Sequence, residues 1–158
     1  MHRHPKGFSL VELLITVAVL GIAAAIAVPN FQSSIQRSRA DTEVSDLQRA
    51  LNYARLEAIN RGVNTRVMPS AVGGTWSGQL QVVLASAPNI PLRLVSAMSS
   101  GAVVVLGGSN SGVVAIDFNN LGGLAAPSTQ LDMTYTQGTI TQTVRACLNG
   151  RIVVGGLC

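Results

Sequence analysis

At 158 residues, 47% of them hydrophobic but only 4% aromatic, the chain has room for one apolar helix and one small domain of about 100 residues. Its formal charge of +4 is unevenly placed, since Arg3 and Lys6 precede Gly7 and nine basic side chains face seven acidic ones after it. Basicity alone is therefore a weak argument for a nucleic-acid partner. Both histidines, His2 and His4, precede Gly7, and no CxxC, phosphate-binding glycine loop or nucleophile–base set occurs, which leaves no cofactor or metal centre and no enzyme class to nominate.

Residues 1–7 are short, polar and basic, and residues 8–28 are almost wholly apolar. As a helix that apolar run is about 30 Å long, enough to span a hydrocarbon core. It carries one acid, Glu12. A carboxylate near the start of a spanning segment costs about 1–3 kcal/mol, so it needs a partner or a role. One reading is a secretory signal peptide cleaved after Ala25-Ile26-Ala27. Glu12 inside the apolar run, and a helical pattern that continues past Ala27, count against it.

The stretch Lys6-Gly7-Phe8-Ser9-Leu10-Val11-Glu12-Leu13-Leu14 resembles the class III signal of type IV pilins and type II secretion pseudopilins. The resemblance implies cleavage after Gly7 by a prepilin peptidase, with Phe8 as the N-methylated first residue of the mature chain. It also implies that Glu12 pairs with the terminal amine of a neighbouring subunit in a filament. In low dielectric such a pair is far stronger than in water, and either charge alone is strongly disfavoured. The alternative is a Glu12 side chain that reaches the headgroups. Pro29 predicts a kink or a loosened turn, and in similar pilins this region is where the helix bends or melts on assembly.

Beyond Pro29 the membrane character ends and an amphipathic pattern begins. Val44, Leu47, Leu51, Ala54 and Ala58 recur at spacings of 3 and 4, with the charged side chains from Arg37 to Arg49 largely off that seam. The helix is predicted to end near Asn60-Arg61-Gly62, with Gly62 as its C′ residue. The seam is expected to pack on one sheet, because from Val63 the period switches to strands. Candidate strands are 63–68, 79–85, 91–96, 102–106, 113–118, 131–137, 140–148 and 151–154, with glycine turns between them. Asn149-Gly150 reads as a two-residue hairpin turn. Cys147 and Cys158, an even pair in an exported domain, read as one disulfide closing a short loop, with two free thiols as the alternative.

A second resemblance narrows the family. Tyr53, Arg55, Glu57, Ala58, Ile59 and Arg61 fit a signature similar to that of GspH-type pseudopilins and FimT/FimU minor pilins. Further fragments are similar too: Trp76-Ser77-Gly78, Ile116-Asp117-Phe118-Asn119-Asn120-Leu121-Gly122 and Val144-Arg145-Ala146-Cys147-Leu148-Asn149-Gly150-Arg151-Ile152. Where such relatives have an aromatic soon after the glycine, this chain has Gln79-Leu80.

The resemblance implies an α+β pilin fold: a long N-terminal helix with an antiparallel β domain. The expected divisions are a leader (1–7), a transmembrane and filament-core helix (8–29), an amphipathic helix (30–62) and a β-rich domain (63–158). It implies a minor pilin that helps prime type IV pilus assembly near the tip. Its site residues are Gly7 and Phe8 for processing, and Glu12 and Pro29 for assembly. Its partners are the prepilin peptidase, other major and minor pilins and, before assembly, the bacterial inner membrane. The chain would cross that membrane once, with its C-terminal domain in the periplasm, and reach the cell surface in the filament. Two alternatives stand beside it: a minor pseudopilin of type II secretion, and a DNA-binding pilin for natural transformation. The second rests on Arg145 and Arg151, because Gly150-Arg151 matches a Gly-Arg-containing tail while the second arginine of that pattern is missing. One or two arginines neutralise few phosphates, so DNA is not the favoured partner.

Overall fold

A computed structural model describes residues 8–158; the predicted leader, including Gly7, lies outside the described residues. The chain divides into two compact units, one ending at Ser38 and one spanning Arg39–Cys158. A single helix, α1 (Leu10–Arg61), enters both. It begins where the Leu13 amide donates to the Ser9 carbonyl (3.2 Å) and includes Pro29. It stops at Gly62, whose φ of +67° places it in the left-handed region that ends helices cheaply only at glycine.

In the second unit, α1 presents the seam that the spacing predicts. Val44, Leu47, Leu51, Ala54 and Ala58 are buried, and Ala40 and Ala50 join them. Leu47, Leu51 and Val44 are its largest fully buried side chains.

Nine strands follow: β1 (Thr65–Pro69), β2 (Leu80–Leu84), β3 (Ala87–Val95), β4 (Val103–Leu106), β5 (Ile116–Phe118), β6 (Leu124–Ala126), β7 (Leu131–Gln137), β8 (Ile140–Ala146) and β9 (Ile152–Val154). They do not form the one sheet expected from the sequence. A five-stranded sheet has the order β3-β2-β1-β5-β6 and a four-stranded sheet the order β4-β7-β8-β9, with every pairing antiparallel. The reason is long-range: β5 returns to pair with β1, and β4 leaves to pair with β7. Strand periodicity carries no information about such partners.

Both sheets turn apolar faces to one core. Val67, Leu80, Val82, Ile116 and Phe118 come from the first sheet, and Leu131, Met133, Tyr135, Val144, Ala146 and Ile152 from the second. Period-2 alternation produces this, as in β7, where Leu131, Met133 and Tyr135 are buried and their neighbours are half-buried.

Polar groups fix the seam against the strands. Buried Thr65 Oγ1 donates to the Ala54 carbonyl (2.7 Å). Glu43 accepts from the Ser99 amide (2.7 Å) and the Tyr135 hydroxyl (2.7 Å). Across the first sheet, Arg66 grips Asp117 through two bonds of 2.7 and 2.8 Å. Trp76 donates its indole N–H to the Val113 carbonyl (3.0 Å), which braces two loops.

Three local differences from the predicted strands have simple causes. β3 begins at Ala87 rather than Pro91 and contains Pro88 and Pro91. It is an edge strand with an irregular register against β2, where missing N–H groups are tolerated. β6 was not predicted; it is three residues long and lies between Gly123 and Pro127, which read as loop. Five residues separate β8 from β9; the Cys147 amide donates to the Arg151 carbonyl (2.9 Å), which leaves a three-residue turn, 148–150, rather than one of two residues. The Gly150 amide closes on the Cys147 carbonyl (2.8 Å), and Gly150, at φ +79°, takes the left-handed position.

Candidate assembly segment and C-terminal site

In the first unit, Phe8 is 78% exposed, and the large apolar side chains from Leu10 to Ile26 are all more than half exposed. An 18-residue window in α1 has a mean hydropathy of 2.6 and contains no buried residue, so the segment is long and apolar enough to cross a membrane. A contiguous apolar surface of this extent is not stable in water and needs a bilayer or other helices around it. Glu12, the acid in the first turn of α1, is exposed within this surface. Of the residues that the sequence nominates, Glu12 and Pro29 (for assembly) lie within α1, and Phe8 (for processing) lies two residues before it; Gly7 precedes the described residues.

In the second unit, Cys147 and Cys158 form a disulfide with Cα atoms 5.5 Å apart. Cys147 is buried at the end of β8, and Cys158 is exposed. The tail after β9 folds back across two arginines. Arg145 binds both carboxylate oxygens of Asp132 on the adjacent strand β7 (2.7 and 3.1 Å) and also donates to the Gly156 carbonyl. Arg151 donates to the Leu157 carbonyl (2.8 Å). The charge-assisted bond from Arg145 holds the Asp132 carboxyl below its usual range, and Asp132 in turn raises Arg145. The two arginines considered for DNA, Arg145 on β8 and Arg151 just before β9, both already hold tail carbonyls, and Arg145 is neutralised by Asp132.

A third cluster links the family-like fragments in space. Arg55 on α1 donates from Nε to the Gly122 carbonyl (3.0 Å). The Leu148 carbonyl accepts from the Leu124 amide (3.0 Å), which joins the hairpin tip to the 119–123 turn. Asn119 Oδ1 accepts from the Leu121 and Gly123 amides (3.0 and 2.9 Å) and shapes that turn. Sequence reasoning placed Arg55, Gly122 and Gly150 in separate fragments and did not connect them. The density of glycine and asparagine in two of those fragments was the available signal for a close backbone approach.

Residues 43–153 match the family model described as type II transport protein GspH, and residues 2–28 match the prokaryotic N-terminal methylation motif. The chain belongs to the GspH family of pilins and pseudopilins. A fimbrial protein of Pseudomonas aeruginosa is 33% identical to this GspH-family pilin over 126 residues, covering 68% of this chain and 82% of that one. The type IV minor pilin FimU of Pseudomonas aeruginosa shares its fold with a TM-score of 0.66 at 22% identity, covering 77% of this chain and 91% of that one. The minor pseudopilin EpsH of the type 2 secretion system of Vibrio cholerae does so with a TM-score of 0.54 at 13% identity, covering 73% and 95%. The family to which this pilin belongs is structural rather than enzymatic.

Proposed function

We propose that this chain is a minor pilin of a type IV pilus, a structural subunit that helps prime assembly and sits near the filament tip. One observation carries the reading: an apolar segment with no buried residue and an acid in its first helical turn continues, in the same helix, into a compact domain. Residues 8–29 hold the subunit in the inner membrane until assembly and enter the filament core afterwards. Residues 30–62 carry the β-rich domain on its helix. A prepilin peptidase cuts after Gly7 and methylates Phe8. Glu12 then neutralises the amine of a neighbouring subunit, which fixes the axial register of the stacked helices. A loosened turn before Pro29 gives the helix freedom to fit that core.

The test is incorporation. Glu12→Ala should still be cleaved but should be depleted from sheared filaments, whereas a bulky residue at position 7 should block cleavage. Normal assembly of Glu12→Ala subunits would contradict the pairing. A second reading, a minor pseudopilin, is favoured by the GspH match; loss of protein secretion rather than of pili on deletion would select it. The DNA-uptake reading is weaker, because Arg145 and Arg151 are engaged by the tail and Asp132. Salt-sensitive DNA binding lost in Arg151→Ala would restore it.

A further inference from the structure

The two sulfurs of the C-terminal disulfide are unequal. Cys147 is 3% exposed at the end of β8, whereas Cys158 is exposed on the tail. Residues 155–158 contribute nothing to the hydrophobic core: Gly155, Leu157 and Cys158 are exposed, and Gly156 is half-buried against Val153. Apart from the disulfide, the bonds to the last three residues are those from Arg145 to the Gly156 carbonyl and from Arg151 to the Leu157 carbonyl, among the described residues. Upstream, the Gly155 amide donates to the Thr143 carbonyl (2.9 Å) and closes the β8–β9 ladder, so β9 does not depend on the strap beyond it.

We propose that this bridge is a regioselective thiol-exchange site, at which a low-molecular-weight thiolate attacks Cys158 Sγ and opens residues 156–158 as a strap. The attacking sulfur forms a bond to Cys158 Sγ as the Cys147–Cys158 bond breaks. Cys147 leaves as a thiolate and takes a proton from solvent. The step is redox-neutral and yields a mixed disulfide on the tail.

Access directs attack to Cys158, because Cys147 is buried and Cys158 is exposed. Once open, the strap has no apolar anchor, so its three residues, Gly156, Leu157 and Cys158, detach while the nine strands keep their core.

The experiment uses the full-length protein in detergent micelles, treated with reduced glutathione, quenched with N-ethylmaleimide at low conversion and cut with trypsin. Cleavage after Arg145 and Arg151 separates Cys147, on residues 146–151, from Cys158, on residues 152–158. The expected result is glutathione on 152–158 and maleimide on 146–151, about tenfold over the reverse pattern, with the circular dichroism unchanged. An even split, the reverse pattern, or no exchange until the domain unfolds would overturn the proposal. The single variants give an independent readout: the Cys158 thiol of Cys147→Ser should react with oxidised glutathione several-fold faster than the Cys147 thiol of Cys158→Ser. Equal or reversed rates would also overturn it.

Discussion

Gly150 lies so close to Gly122 that a Cβ at position 150 would stand 1.7 Å from the Gly122 carbonyl oxygen. That oxygen also accepts the Arg55 Nε–H bond. The helix, the 119–123 turn and the β8–β9 hairpin therefore meet at a point where two backbones touch and no side chain fits.

Gly150→Ala should destabilise the domain by about 2–4 kcal/mol, since it adds a backbone clash to an unfavourable positive φ. Gly138→Ala is the comparator. Gly138 has φ +59° but nothing within 4 Å of an added Cβ, so only the conformational term of about 1 kcal/mol applies. Chemical denaturation of both variants checks this, and equal losses would show that the Gly122 contact is not limiting.

Stability should fall on acidification below about pH 4–5, near the unfolded carboxylate values. Burial alone would raise Glu43, but the Ser99 amide and Tyr135 hydroxyl outweigh it and hold the carboxyl below its ordinary value. Arg145 does the same for Asp132. A depressed folded pKa means that the unfolded chain takes up the proton first. The stabilisation is thus present above the unfolded pKa and is lost as pH falls through the folded one. Glu43→Gln should flatten the acid limb of a plot of melting temperature against pH; an unchanged slope would remove Glu43 from this role.

Leu47→Ala should cost about 2–5 kcal/mol, because Leu47 is a large, fully buried side chain in the helical seam. Leu56→Ala, on the exposed side of the same helix, should change stability by less than about 0.5 kcal/mol. A thermal melt of the pair tests whether the seam assigned by the 3-and-4 spacing is the face that holds the domain.

Much of this fold was legible in the sequence, and what was not has a common cause. The seam from Val44 to Ala58, the end of α1 at Gly62 and the strands around β7 follow from periodicity and glycine punctuation, which are local. The Cys147–Cys158 pair follows from there being only two cysteines. The split into two sheets was not legible, since the pairings of β1 with β5 and of β4 with β7 depend on contacts distant in sequence. Asp132 was not singled out either, because only the β7–β8 register places it opposite Arg145. The neutralisation of Arg145 and the tail's hold on Arg151, which bear most on the DNA reading, could not be read from residue order.

Arg55→Ala should loosen the 119–123 turn and the hairpin tip together, because its Nε–H bond joins the helix to the Gly122 carbonyl and Gly150 packs on that same oxygen. Faster amide exchange at Gly122, Leu124 and Gly150, with Val67 and Met133 unchanged, is the expected pattern. Faster exchange throughout the core would instead mean that Arg55 supports the whole domain.

The most direct test of the assembly account is the intact mass of the mature protein isolated from cells that make its filaments. The account predicts a chain that has lost residues 1–7 and begins at Phe8, heavier by about 14 Da for one N-methyl group. A mature chain that begins at Val28, with the apolar segment discarded as a signal peptide, would contradict it.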